Sequence, residues 1–291
     1  MAHSVEAAVS LPQHDTAGQA ARARRRRTWA MWLSRLALLV FIFGGWQLFT
    51  SKSIGQPVDP FFWGRPTDTW HRLIRFFQEG TEFGSFGSQI AVTLEEAVLG
   101  FLAGSVAGIV VGVLLGQSDF LAKVVGPFIK VVNAIPRIIL GTLFVVALGI
   151  GMPSKILLAA VLVFFVVFFN AFQGVREVDR NVVANARVLG AKPIDIVRHV
   201  TLPSALTWII ASLHTAFGFA LIGALVAEVL GAQKGLGLVV KTAANTFDPN
   251  GVNAVIVTVA VITLAAEFVL TWLERRLLAW RPPSSTESPA I

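Results

Sequence analysis

The sequence predicts an all-α integral membrane protein with about six transmembrane helices. Three observations carry that prediction. Of its 291 residues, 55% are hydrophobic and 14% are charged, with a mean hydropathy of +0.70, which lies outside the range of soluble globular domains. Apolar runs of the length a bilayer demands, about 20 residues at 1.5 Å each, recur along the chain. Basic residues gather at the ends of these runs and on alternate connections, the asymmetry that orients membrane proteins with their positive segments inside. This placement also argues against nucleic acid as the partner behind the formal charge of +7, because the cations do not share one soluble face. The chain has no cysteine, which excludes a disulfide framework, a thiolate metal site and a thiol nucleophile.

Residues 1–28 begin rich in Ala, Gln, Ser and His and end in a basic cluster, Arg22 and Arg24 to Arg27. A disordered basic tail is expected there. The run 29–49 follows directly. It ends in Trp46 and Phe49, not in small residues, and offers no A-x-A site, so it reads as a first transmembrane helix and not a signal peptide. The arginines hold its start in the cytoplasm, with Arg35 snorkelling back to that side. Residues 29–88 thus comprise this helix and an external segment. Within the latter, Leu73, Ile74, Phe76 and Phe77 oppose His71, Arg72 and Arg75, a pattern that fits a short helix lying on the outer surface or a folded loop.

A transmembrane domain is expected over 89–281, with a polar tail at 282–291. Its first span, 90–116, carries Gly100, Gly104, Gly108, Gly112 and Gly116 at a strict spacing of four. Small residues let helix backbones approach closely in lipid, where no hydrophobic force drives association. Each step of four advances the stripe by about 40° on a 3.6-residue helix, so the stripe is expected to serve more than one neighbour. Glu95 and Glu96, near the outer end, are expected to face water or a protein partner. The run 120–150 breaks at Ile135-Pro136, since proline frees a carbonyl and bends a helix. Spans at 156–172, 205–229 and 252–273 complete the set, with both termini on the cytoplasmic side. Lys52, Arg65, Arg72, Arg75, Lys155, Lys234 and Lys241 are spread thinly over the other side. Polar residues at depth, Asn133, Arg137, Asn170 and His214, are the pathway candidates. Lys130 and Arg137 also suit snorkelling to the inner interface, and His214 suits a packing role, with no partner legible for it or for Glu267.

Between the fourth and fifth spans lies a polar interval, 176–203, longer than packed helices need. Ala184, Ala186 and Leu189 sit among good helix formers, Gly190 suits a left-handed cap, and Lys192-Pro193 forbids simple continuation. A second short helix is expected next, with Ile194, Val197 and Val200 opposing Asp195, Arg198 and His199 at a membrane face. Leu202-Pro203 then restarts the chain into the fifth span.

This interval resembles the EAA loop of ABC-importer permeases: Glu-Ala-Ala, three residues, Gly, nine residues, Ile, one residue, Leu-Pro. Here Gly190, Val200, Leu202 and Pro203 occupy the later positions, and Ala184, Asn185 and Ala186 stand where the pattern has Glu-Ala-Ala; Arg187 and Leu189 fall between. The stretches GFLAGSVAGIVVGVLLG, NAIPRIILGTLF and FFVVFFNAFQGVREVD are similar to permeases of the nitrate, sulfonate/taurine and bicarbonate type. The resemblance implies a type I importer (MetI-like) fold and a loop that couples to a separate ATPase. It further implies an external substrate-binding protein, a second permease copy and residence in the bacterial inner membrane. No phosphate loop is present, since in GAQKGLG the lysine precedes its glycine and no Ser or Thr follows in register. No protease, esterase or metal motif occurs either. The chain therefore reads as a transport subunit that binds no cofactor, with ATP used by its partner. A stand-alone secondary transporter or channel is the alternative, but no clear internal repeat supports it.

Overall fold

A computed structural model describes residues 16–51 and 57–277. The chain divides into two compact units, one ending at Thr67 and one beginning at Asp68. The first contains α1 (Thr16–Phe49) and the one-turn α2 (Pro60–Trp63), the latter capped by Asp59, whose carboxylate accepts from the Phe61 amide. Helix α1 starts inside the stretch expected to be disordered. Ala, Gln and Arg are strong helix formers, so the basic cluster carries the helix out of the span instead of ending it.

The second unit holds α3 (Pro66–Glu79, which begins at the boundary), α4 (Phe86–Gly116), α5 (Asp119–Ala134), α6 (Arg137–Leu148) and α7 (Met152–Arg176). After these come α8 (Arg180–Val188), α9 (Pro193–Ile196), α10 (Leu202–Leu230), α11 (Leu236–Asn245) and α12 (Pro249–Leu277). Of the two readings open for the external segment, α3 realises the surface helix. Among the described residues, five helices are long and apolar enough to cross a membrane, and six spans result if the pair α5 and α6 counts as one. That pair bends by 86° at the break. Pro136 lacks an N–H and forces Ile135 into extended backbone (ψ 128°), so the helix cannot continue through it.

The core is a stack of three spans with α7 in the middle. Ala97 of α4, Val163 and Val167 of α7, and Ala216, Phe217, Ala220 and Leu221 of α10 are all buried in it. Here the glycine stripe departs from expectation, because all five glycines face α7 alone. A methyl on Gly108, Gly112 or Gly116 would lie 2.9, 2.7 or 3.2 Å from the carbonyl oxygens of Phe164, Phe168 and Phe172, and Gly100 and Gly104 meet Ile156 and Ala160 likewise. The contacted carbonyls also advance in steps of four. A stripe with a period longer than 3.6 residues winds right-handedly around its helix, and a partner that coils with it stays in contact throughout. One neighbour therefore consumes the whole stripe. On its other side α7 meets α10 through Gly223, against the Ala159 backbone, and Gly174, against Ala205.

The ends of the bundle are tied by different chemistry. At one end Arg176 pairs with Asp119 at 2.6 Å, joining the exit of α7 to the start of α5. At the other, Arg72 of α3 pairs with Asp248 at 2.8 Å, and Thr69 donates to Asn250 at 3.3 Å.

Candidate functional site

The polar interval between α7 and α10 forms a compact projection at the Arg176 end of the bundle. Asp179 caps α8 by accepting from the Asn181 amide at 2.8 Å. The helix closes in a Schellman turn: the Gly190 amide donates to the Arg187 carbonyl and the Ala191 amide to the Ala186 carbonyl, each at 3.0 Å. Gly190 takes φ +85°, the left-handed region that side chains with a Cβ disfavour. At the start of α9 the Asp195 carboxylate accepts from the Lys192 amide at 3.2 Å. The turn leaves Val188 and Leu189 87% exposed and Ile194 66% exposed, three apolar side chains that none of the described residues covers.

The expected separate second helix is not formed. Residues 197–201 make a π-helical turn, with the Leu202 amide donating to the Val197 carbonyl, and the helix passes unbroken from Pro193 to Leu230. A wider turn ahead of Pro203 accommodates a residue that has no N–H to give and whose ring would crowd the preceding carbonyls. The expected apolar face is also redrawn: Ile196 and Thr201 are buried, Val197 and Val200 half-buried, and Ile194 points out. Leu202 and Pro203 lie in the first turn of α10 and are half-buried. Ala184, Asn185 and Arg187 are exposed along α8, with Ala186 half-buried. Behind α8 is a crevice of about 790 Å³, lined among others by Gln117, Asp119, Arg176, Ala184, Arg187 and Thr201.

The four polar residues singled out at depth do not come together. Arg137 donates to the Asn133 side-chain carbonyl at 2.8 Å, one turn away across the α5–α6 break, and is exposed. Asn170 donates to the Val166 carbonyl of its own helix at 2.8 Å. His214 proves to have partners: Nδ1 lies 2.8 Å from Glu267 and Nε2 3.1 Å from Glu274, both on α12. The lone packing histidine of the sequence reading is thus a two-sided tie between α10 and α12. Glu267 and Glu274 are one heptad apart on α12, which puts both on the face toward α10, but their meeting with a residue more than fifty positions away has no local signature.

A second polar centre escaped sequence reading altogether. Glu228, fully buried near the end of α10, accepts from Thr93 Oγ1 at 2.7 Å and from the Gly237 amide at 2.6 Å. Thr93 accepts in turn from the Leu236 amide at 2.8 Å, and Gln89 from the Gly235 amide at 2.8 Å. Three side chains from two spans therefore satisfy the first free amides of α11, the groups a helix start leaves unpaired. Glu96, expected to face water or a partner, is 3% exposed instead. It interacts electrostatically with Glu228 and Lys155. Lys155, expected on the outer surface, is also buried, and its ammonium donates to the Ile150 and Gly151 carbonyls.

The comparisons with known proteins agree with this architecture. Residues 104–279, which take in the core spans, the projection and α12, match the family described as the inner membrane component of binding-protein-dependent transport systems. The chain belongs to that family. It is 31% identical to a putative aliphatic sulfonates transport permease of Bacillus subtilis, covering 95% of this chain and 97% of the relative. A taurine transport system permease of Escherichia coli is 29% identical over 88% of this chain and 94% of its own length. A nitrate import permease of Synechococcus elongatus is 26% identical, covering 79% and 84%. Among solved structures, the MetNI methionine ABC transporter in inward-facing conformations shares the fold, with a TM-score of 0.59 at 22% identity over 65% of this chain and 94% of that one. The protein is a multi-pass inner-membrane permease of an ABC importer, and a stand-alone secondary transporter or channel is not favoured.

Proposed function

We propose that this permease receives its energy through the α8–α9 projection, which docks on a separate ATPase subunit, and that it carries a small oxyanion-bearing solute. The observation that carries the first part is the projection itself: a turn fixed by two 3.0 Å hydrogen bonds, with Val188 and Leu189 both 87% exposed at its tip. An ATPase biases the inward-open and outward-open states only through a difference in docking between them. The projection must therefore be stiff, and its continuity with α10 delivers its displacement into the core spans. Ala184, Asn185, Ala186, Arg187, Leu189, Gly190, Val200, Leu202 and Pro203 are the coupling residues in this reading. With alanine at 184, docking rests on apolar contact at Leu189 and Ile194 and on Arg187, without the carboxylate of the family pattern.

The named relatives support sulfonates, taurine and nitrate as the substrate class, with bicarbonate and similar small solutes within it. Arg137, beside the break in a span and hydrogen-bonded to the neutral Asn133, supplies a cation that suits such anions. Asn133, Asn170 and His214 are the further pathway residues. A homodimer, fed by an external binding protein, completes the working unit. Arg187, Lys192 and Arg198 of the projection, with Arg275 and Arg276 at the end of α12, support a cytoplasmic projection and cytoplasmic termini. ATP is bound by the partner alone. The experiment is uptake of radiolabelled taurine, sulfonate and nitrate into proteoliposomes holding the permease with the ATPase and binding protein encoded beside it. ATP-dependent uptake of one of them, abolished by Leu189→Asp, is the expected result. Uptake by the permease alone under an ion gradient contradicts the proposal.

A further inference from the structure

Helix α3 has more apolar surface than the protein uses. Thr69 and Phe76 are buried, and Phe76 packs with Phe86, Leu236, Val239, Ala254 and Val255. Successive residues turn by about 100°, so Trp70, Ile74 and Phe77 form a second stripe beside this buried one. Trp70 is 60% and Phe77 61% exposed, with Ile74 between them half-buried. Beyond that stripe, on the side away from the core, come His71 and Arg75, both exposed. The helix is pinned to the first turn of α12 by Arg72–Asp248 and Thr69–Asn250, which sets it at the level where a membrane span ends.

We infer that α3 is an interfacial anchor whose Trp70–Ile74–Phe77 face lies in the headgroup boundary of the bilayer at the end of the bundle opposite the projection. Three arguments select phospholipid as the occupant. The stripe continues sideways from the end of a span whose own apolar surface meets lipid, so the two faces share one solvent. Tryptophan and phenylalanine at the border of a span are the residues that prefer this layer. Arg75, bordering the stripe, faces the layer of lipid phosphates, with which its charge is complementary. A water-soluble partner that comes and goes fits less well, since it would leave two large aromatic side chains in water for much of each cycle. By fixing α3, the anchor also steadies Asp248, which caps α12 by accepting from the Gly251 amide at 2.9 Å.

The cysteine-free chain allows a direct test. Single cysteines at Ile74 and Phe77, and at Arg75 as the control, are nitroxide-labelled in the full-length permease in nanodiscs of phosphatidylethanolamine and phosphatidylglycerol. Collision with oxygen, which partitions into lipid, is compared with collision with a water-soluble nickel chelate. Labels at 74 and 77 are expected to favour oxygen severalfold, while the label at 75 favours the chelate. Labelling at 74 keeps both aromatic residues in place, so the anchor is read undisturbed. Equal chelate access at all three positions, a water-facing helix, overturns the inference. Protection of 74 and 77 from both reagents also overturns it, because the face is then covered by protein, whether a second copy, the N-terminal helix or another partner.

Discussion

Replacing Gly190 by valine should uncouple ATP hydrolysis from transport without unfolding the permease. At φ +85° a methyl on Gly190 meets nothing within 4 Å, so the penalty is confined to the backbone and does not spread by collision. An L-residue in the left-handed region costs about 1–2 kcal/mol, and a β-branched one stands at the upper end or beyond. A difference of that size reduces the ratio of closed to open turn by about 5–30-fold. Because Gly190 and Ala191 supply the two Schellman hydrogen bonds, opening the turn frees α8 from its fixed angle to α9. The assay is the ratio of solute transported to ATP hydrolysed in proteoliposomes, measured beside the melting temperature of the purified complex. We expect the ratio to fall severalfold with the melting temperature nearly unchanged. Gly190→Asn, which tolerates the left-handed region, should retain most of the coupling. A valine variant with wild-type stoichiometry would refute the argument that this turn must be rigid.

Further outcomes follow from the packing. Gly112→Ala places a methyl 2.7 Å from the Phe168 carbonyl oxygen; overpacking of this kind costs about 1–3 kcal/mol and should lower the melting temperature. Gly218→Ala, where nothing lies within 4 Å, should leave it unchanged or raised. Glu228→Ala leaves the Thr93 hydroxyl and the Gly237 amide without their acceptor, a loss of about 1–3 kcal/mol for each buried group left unpaired, seen as a large drop in thermal stability. Glu228→Gln, which keeps one acceptor, should fall between alanine and wild type. His214→Ala removes both ties from α10 to α12; partly exposed pairs contribute about 0–1 kcal/mol each. Stability should therefore change little, whereas distances between spin labels on the two helices should broaden.

What the sequence made legible and what it hid divide along chain distance. Span positions rest on continuous apolar runs, and the break at Pro136 on the chemistry of a single residue, so both were readable locally. Gly190 likewise announces its turn, because only its own backbone is involved. The Glu228 centre joins Thr93 to a residue 135 positions away, and its acidic members resemble surface residues in composition. The His214 tie spans 53 and 60 positions and is equally silent. The glycine stripe is legible in the sequence, whereas its single partner is not, because the rotation along one straight helix does not reveal the coiling of a second around it. Leu202-Pro203 reads as a restart, since a π turn has no composition of its own.

The central claim, that an ATPase drives this permease through the α8–α9 projection, is tested most directly by crosslinking during turnover. A cysteine at Leu189, placed in the cysteine-free chain and paired with cysteines along the proposed groove of the ATPase, should crosslink, and the crosslink should stop ATP-driven uptake until it is reduced. The absence of any crosslink at Leu189, with uptake still dependent on ATP, would contradict the account.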